Sequence, residues 1–456
     1  MAISSSKKSG TQNPLVRTAL KDHFGPLELH GLMTATREFP ATARLDLQAA
    51  VMEVLSGPLE PKKFLGAHAP YSFETMTFSH LLVEHDNQRV LIAPLQYDDI
   101  DTGEAMPVRC LKNALWLCCD SDLPFALFLS RVQKHGREAG LHLELAIPPG
   151  ERGLEISRRL LERIERKIGQ AGSYRGKVLS LEASDNYGGA VAGIKVHRLR
   201  TVRRDEVILP EKTLNLLERN VTRFMEQRKR LGEMRLGIKK GLLFYGPPGT
   251  GKTHTIHYLA SQMKDHTTLL IAAEQIALLD EYVQLARFLQ PSMVVIEDVD
   301  LIARARTSMR NPCQESQLNK LLNEMDGLRE DARVLFVLTT NRPDQLEEAL
   351  TSRPGRIDQA IEFPLPDDEG RNKLIQLYCG GLKINNEILP VLIQKTKGGS
   401  GAFIKELMRR SAQFLIETQE QVLGLHHIDS ALDEMLFSGG SLNAKLLGFS
   451  QKNTAQ

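Results

Sequence analysis

The feature that most restricts the fold of this 456-residue chain is the run GPPGTGKT at residues 246–253. It fits the pattern GxxxxGK[ST], follows the apolar run 241–245, and leads into Ile256, Leu259 and Ala260 at helical spacing. A buried strand, a glycine-rich turn and a helix N-terminus in this order turn successive backbone N–H groups toward a phosphate. The pattern therefore predicts a parallel α/β sheet with a phosphate site at the end of one strand.

The residue types within this loop match the needs of a nucleotide triphosphate. Gly249 and Gly251 let the backbone curl, Lys252 can reach the β- and γ-phosphates, and the Thr253 hydroxyl can bind Mg²⁺. The predicted ligands are therefore ATP and Mg²⁺. The predicted contacts are Gly246, Pro247, Pro248, Gly249, Thr250, Gly251, Lys252 and Thr253.

A second apolar run, residues 293–296, ends in the neighbouring carboxylates Glu297 and Asp298. Beside a phosphate loop, one acid can orient Mg²⁺ and the other can activate the attacking water. We assign Glu297, with Thr253, to the metal and Asp298 to the water. An exposed acidic strand end is the alternative, and the phosphate loop upstream favours the catalytic interpretation.

Further motifs follow in an order that resembles the AAA family of ATPases, including its membrane-translocase-like and remodelling branches. They are LNKLLNEMDGL (318–328), TTNRPD (339–344), SRPGRID (352–358), FPLPD (363–367) and GGSGAFIKEL (398–407). The resemblance covers about residues 207–437. It implies a P-loop NTPase sheet flanked by helices, followed by a small helical lid.

The resemblance also implies roles for single residues. Asn341 matches a polar position that helps to hold the attacking water. Arg353 and Arg356 match paired arginines that, in the family, reach the ATP of a neighbouring subunit. Residues 207–209 match a segment that wraps the adenine base, although apolar packing of a linker strand explains them equally well. The resemblance thereby implies a homo-oligomer arranged as a hexamer-like ring.

Two features depart from the family pattern. The paired acids stand in the order Glu297, Asp298, whereas most of the family has Asp before Glu. Residues 272–277 lack the aromatic–hydrophobic–glycine loop with which threading members grip a chain, and Tyr282 and Phe288 nearby are better explained by helix packing. The first departure predicts an altered rate and the second a poor grip on an extended polypeptide.

The composition restricts the class of partner and the cellular compartment that we expect. A formal charge of +2, with no basic groove interleaved with aromatic residues, argues against nucleic acid as the partner. The five cysteines form no CxxC pair, which fits a reducing compartment. No apolar run approaches the roughly 20 residues that a membrane span needs. We expect a cytoplasmic protein without a transmembrane segment that acts on a protein client.

We predict five segments: a tail (1–14), an N-terminal α/β domain that could bind the client (15–205), the large ATPase subdomain (206–366), the helical lid (367–437) and a C-terminal tail (438–456). In the N-terminal domain, strand-like runs fall at 80–83, 90–94, 114–118, 125–129 and 141–147, and an amphipathic helix at 151–168.

Two functions from different classes fit these features. The first is an ATP-hydrolysing motor that remodels or translocates a macromolecular client as a ring. The second is a slow, nucleotide-gated binding or scaffold switch. Because Asp298, Glu297, Asn341, Arg353 and Arg356 are all chemically workable, the motor is favoured.

Overall fold

A computed structural model of the chain divides into two compact units. Unit 1 comprises Met1–Arg175 and Leu181–Val196, and unit 2 comprises Gly176–Ser180 and His197–Gln456. This division falls at 196/197, whereas the domain assignment from sequence places it at 205/206; that assignment stays a prediction. The structure describes residues 15–57, 59–69, 75–82, 89–134, 137–170, 172–183, 191–301, 315–327, 329, 331–345, 356–384 and 386–438.

Unit 1 contains an antiparallel sheet whose strands run in the order β1-β8-β7-β6-β2-β3. Its strands are β1 (Met33–Phe39), β2 (Lys63–His68), β3 (Leu91–Ala93), β4 (Tyr97–Ile100), β5 (Val108–Leu111), β6 (Ala114–Asp120), β7 (Leu123–Lys134) and β8 (Arg137–Ile147). The chain then forms β9 (Val178–Ala183), which belongs to unit 2 up to Ser180 and to unit 1 from Leu181, and β10 (Val191–His197), which belongs to unit 1 up to Val196. The helices are α1 (Val16–Phe24), α2 (Arg44–Val54), α3 (Phe78–Leu81) and α4 (Glu151–Gln170). Strands β4 and β5 form a separate pair.

Alternation along the strands of unit 1 builds its core. Leu115 and Leu117 of β6 share a buried cluster with Phe128 of β7 and with Val16 and Leu20 of α1, as a period of two requires. The predicted strand at 80–83 is wrong where the structure describes it, because residues 80 and 81 end helix α3. His80 Nδ1 accepts the Thr77 backbone N–H (3.1 Å), and this cap favours a helical turn.

Unit 2 contains the predicted parallel sheet with flanking helices. Its strands are β11 (Lys240–Tyr245), β12 (Thr267–Ile271), β13 (Ser292–Ile296), β14 (Val334–Thr340) and β15 (Gln359–Glu362). The helices are α5 (Glu211–Asn220), α6 (Thr222–Glu233), α7 (Lys252–Gln262), α8 (Leu279–Phe288), α9 (Glu315–Asp326), α10 (Asp368–Cys379), α11 (Leu389–Lys395), α12 (Gly401–Glu417) and α13 (Leu425–Asp433).

The order β12-β13-β14-β11-β15 brings strands that are distant in sequence side by side. All four pairings are parallel, so the carboxyl ends of the five strands lie along one edge. Within unit 2, Val178 and Leu179 of β9 add a parallel pairing to β12. Helices α10 to α13 form the lid around a separate apolar cluster that includes Leu392, Phe403 and Leu407.

Among the described residues, no helix combines the length and the apolar character that crossing a membrane would require.

Candidate active site

The phosphate loop connects the carboxyl end of β11 to the first residue of α7. Gly249 has a φ of 76°, and a Cβ atom there would lie 2.7 Å from Ser400 Oγ and 2.8 Å from Ala402 Cβ. Only glycine therefore fits the loop against the lid at this position. The Ala402 backbone N–H also donates to Gly249 O (3.1 Å), so the lid helix α12 begins directly on the loop.

Lys252 is a buried cation whose ammonium group is held by backbone carbonyl oxygens. Its Nζ donates to the carbonyl oxygens of Gly246 (2.7 Å) and Pro247 (2.9 Å). Burial lowers the pKa of Lys252 to about 8, and the charges of Asp298 and Asp300 partly oppose this shift. Such an ammonium gains more from an incoming anion than a solvated lysine would.

Glu297 and Thr253 meet at the edge of the sheet. The Thr253 hydroxyl donates to Glu297 Oε1 (2.8 Å), and the Glu297 backbone N–H donates to Ile271 O (3.0 Å) at the end of β12. A hydroxyl and a carboxylate oxygen at this distance form the kind of oxygen-rich pair that Mg²⁺ prefers. The two residues predicted to hold the metal therefore lie in contact.

Asp298 contacts Asn341, the residue predicted to help hold the attacking water. Asn341 Nδ2 donates to Asp298 Oδ1 (2.9 Å), and the Asp298 backbone N–H donates to Thr339 Oγ1 (3.0 Å). Burial, followed by the neighbouring charges of Asp300 and Glu297, raises the pKa of Asp298; Lys252 and the Asn341 amide act in the opposite direction. A raised pKa makes this carboxylate a better proton acceptor than an ordinary aspartate.

Asp300 is a further carboxylate of this site to which sequence reasoning gave no role. It is 3% exposed, and its Oδ1 accepts hydrogen bonds from Thr340 Oγ1 (2.9 Å) and the Asn341 backbone N–H (3.2 Å). It therefore orients the residue that holds Asp298. The signal was available in the sequence, because Asp300 lies two positions after Asp298 in the same acidic run.

A cavity of about 400 Å³ is lined by these polar groups and by apolar side chains. Lys252, Thr253, Asp298 and Asn341 are its polar lining. Val207, Ile208, Leu209, Leu374 and Tyr378 are part of its less polar lining. The sequence pointed to 207–209 as the base-binding segment, but it did not identify the α10 side chains or His254, whose Nε2 lies 3.2 Å from Glu206 O.

Comparison with known proteins agrees with this geometry. Residues 242–365 match the ATPase family associated with various cellular activities (AAA). Unit 2 carries an AAA ATPase domain.

Three relatives illustrate the extent of the similarity. The proteasome-activating nucleotidase of Methanosphaerula palustris is 29% identical over 261 residues, which cover 55% of this chain and 63% of the relative. The ATP-dependent zinc metalloprotease FtsH 3 of Symbiobacterium thermophilum is 30% identical over 50% of this chain and 38% of its own. The 26S proteasome regulatory subunit S10B homolog B of Arabidopsis thaliana is 32% identical over 41% of this chain and 50% of its own. The chain thus spans less than two thirds of the length of each.

The residues of the AAA domain fit ATP with Mg²⁺. Lys252 offers a buried charge to phosphate, the helix α7 begins at the loop, and Thr253 with Glu297 supplies oxygen ligands. When bound, Mg²⁺ would neutralise phosphate charge. The cavity also has apolar lining side chains of suitable chemistry for a purine.

Of the two arginines predicted to complete a neighbouring site, the structure describes only one. Arg353 lies outside the described residues. Arg356 is described, and its Nη2 lies 2.5 Å from Asp326 Oδ2, at the end of α9. Arg356 is not among the residues that line the cavity of the same chain.

Proposed function

We propose that this chain is an ATP-hydrolysing motor that remodels a macromolecular client. The observation that carries the proposal is the contact between Asp298 and Asn341 at the cavity that also contains Lys252. Asp298 accepts the proton of the attacking water, Asn341 holds Asp298 and the water in place, and Lys252 binds the phosphates. Steady-state release of phosphate from ATP by the full chain tests the proposal; absence of turnover above a Lys252→Ala control would refute it.

The same measurement separates a motor from a slow switch. A motor should turn over ATP at about 1 s⁻¹ or faster, as ordinary enzymes do. The order Glu297, Asp298 shortens the base by one methylene relative to the family pattern, so a lower rate than that of a family member with Asp–Glu is expected. Turnover of only a few molecules per hour would support the nucleotide-gated scaffold instead.

Assembly into a ring with active sites completed by neighbours is part of the proposal. It rests on the resemblance of Arg353 to an arginine that acts on the ATP of the next subunit. Mixing wild-type chains with increasing fractions of Arg353→Ala chains should reduce turnover more steeply than simple dilution, because each altered subunit disables its neighbour. A strictly linear decline, or a monomer by light scattering with ATP present, would contradict it.

The client is proposed to be rearranged rather than threaded as an extended chain. Residues 273–278, after β12, form a short 3-10 helix in which Ile276 is 7% exposed. Tyr282 of α8 is fully buried, and its hydroxyl donates to Gln275 Oε1 (3.1 Å). These side chains are committed to packing, so they are poor candidates for gripping a polypeptide.

A tagged fluorescent protein, incubated with the full chain, ATP and a trap for unfolded chains, tests this point. We expect the fluorescence to persist. ATP-dependent loss of fluorescence that Asp298→Asn abolishes would demonstrate threading and overturn the proposal.

We further infer that the protein acts in the cytoplasm. Cys110, Cys118, Cys119 and Cys379 are free thiols in the described part of the chain, as expected of a reducing compartment. Cell fractionation with detection of the full chain tests this placement, and recovery in an oxidising compartment would contradict it.

A further inference from the structure

The guanidinium of Arg356 is engaged within its own subunit. Its Nη2 lies 2.5 Å from Asp326 Oδ2 and donates to Asn323 Oδ1 (3.3 Å). The side chain is only 11% exposed, whereas that of Asp326 is 48% exposed. Asp326 and Asn323 both belong to α9, so the arginine binds the last turn of this helix.

The backbone around Arg356 is anchored as tightly as its side chain. A Cβ atom on Gly241 would lie 2.1 Å from Arg356 O, so the two backbones are in direct contact. The Asp358 backbone N–H donates to Gly241 O (2.8 Å), and the Gly241 N–H donates to Asp358 Oδ2 (2.7 Å). Residues 356–358 are therefore clamped onto the beginning of β11 before β15 begins.

This clamp lies far from the phosphates of the same subunit. The five steps from Gly241 to Gly246 span about 16 Å along an extended strand, at about 3.3 Å per residue. A guanidinium that is largely buried and already paired with a carboxylate cannot reach outward without breaking that ion pair. The contacts of Arg356 are those of a residue that joins α9, β11 and β15.

We propose that Arg356 is a positioning residue that acts in cis, and that it does not supply charge to a neighbour's ATP. By tying residues 356–358 to α9, it fixes the entry into β15, which begins six positions after Arg353 in the sequence. Arg353 then remains the one arginine of this motif assigned to the neighbouring site. The inference rests on the proposed ATPase function and ring assembly.

The decisive experiment breaks the ion pair from its acidic side. Asp326→Asn leaves the charge of Arg356 intact, so a direct role for Arg356 on a neighbour's ATP predicts unchanged turnover. The positioning role predicts that Asp326→Asn lowers kcat by about tenfold, with KM for ATP within about threefold of wild type because the cavity is untouched. It also predicts that Arg356→Ala combined with Asp326→Asn is no worse than Arg356→Ala alone.

A charge swap provides the complementary test in the full chain. Arg356→Asp alone should lose turnover, and adding Asp326→Arg should recover at least a third of the wild-type kcat. An aspartate at a neighbour's phosphates would repel them, so rescue is incompatible with direct action there. The exposed pair Arg329–Asp331 is the matched control, and breaking it with Asp331→Asn should leave kcat unchanged.

The outcomes separate this inference from the proposed function. Wild-type protein without ATP turnover would refute the function itself. Active wild type, with Asp326→Asn at full activity or with losses from Asp326→Asn and Arg356→Ala that multiply, would overturn only the positioning role. If the swapped protein does not fold, as judged by its thermal unfolding, the Asp326→Asn comparison still decides the matter.

Discussion

The two ends of strand β11 hold their cations in opposite ways. Beyond its carboxyl end, Lys252 is buried against the carbonyl oxygens of Gly246 and Pro247. Beside its amino end, Arg356 is paired with the Asp326 carboxylate. Carbonyl oxygens solvate a positive charge without neutralising it, so Lys252 keeps its full attraction for an anion. The charge of Arg356 is already compensated by the Asp326 carboxylate. Whether a cation can serve a ligand thus depends on the partner it already has.

The largest effect on turnover is expected at Asp298, the proposed acceptor of the water's proton. Asp298→Asn should lower kcat by about 10²- to 10⁴-fold, the usual contribution of a general base, because an amide cannot accept the proton of water. ATP binding should persist, as measured by equilibrium binding of a fluorescent ATP analogue. Glu297→Gln should instead weaken the dependence on Mg²⁺ concentration, and the reverse pattern would mean that the two acids exchange roles.

The second-largest effect is expected on removal of the buried Lys252 cation. Lys252→Ala should weaken ATP binding by about 100-fold, or ~3 kcal/mol, because charge-assisted hydrogen bonds to phosphate are lost. Isothermal titration calorimetry measures this effect. Lys373→Ala is the control, since Lys373 pairs with Glu369 on the lid surface, and it should bind ATP as wild type does. Equal binding by both variants would remove the contrast between paired and unpaired cations.

The pH dependence of ATP binding sharpens the same contrast. Since the pKa of Lys252 is lowered to about 8 in the free protein, Lys252 is charged at pH 7 and mostly neutral at pH 9. Phosphate favours the charged form, so binding above pH 8 must take up a proton. ATP affinity should therefore fall by about tenfold from pH 7 to pH 9. Calorimetry in buffers of different ionisation enthalpy detects the uptake, and its absence at pH 9 would contradict this account.

The smallest effect is expected at the other end of β11. Asn323→Ala removes the weaker of the two contacts of Arg356, and Asp326 keeps the ion pair. A single such hydrogen bond contributes about 1 kcal/mol, so kcat should stay within about fivefold of wild type. Kinetic assays beside Asp326→Asn make the comparison. A loss as large as that of Asp326→Asn would show that the ion pair alone does not hold the clamp.

Sequence reasoning succeeded for the AAA core because its motifs stand at the ends of strongly apolar strands. The runs at 241–245 and 293–296 both became parallel strands, and the residues that follow them meet at the cavity. It was wrong at residues 80 and 81, where a local cap at Thr77 outweighs an apolar pattern. It also missed Leu374 and Tyr378, because nothing in a lid helix marks which of its side chains will face a cavity.

The sequence by itself determined the chemistry of the phosphate end, since the loop and its lysine form one contiguous run and the paired acids directly follow an apolar strand. The partners of those groups depended on tertiary structure. The contact of Asn341 with Asp298 needs β13 and β14 to be neighbours, and that of Arg356 with Asp326 needs α9 to end beside β11. Such contacts join residues that are 30 to 43 positions apart, and only folding decides which distant side chain occupies the site beside a charge.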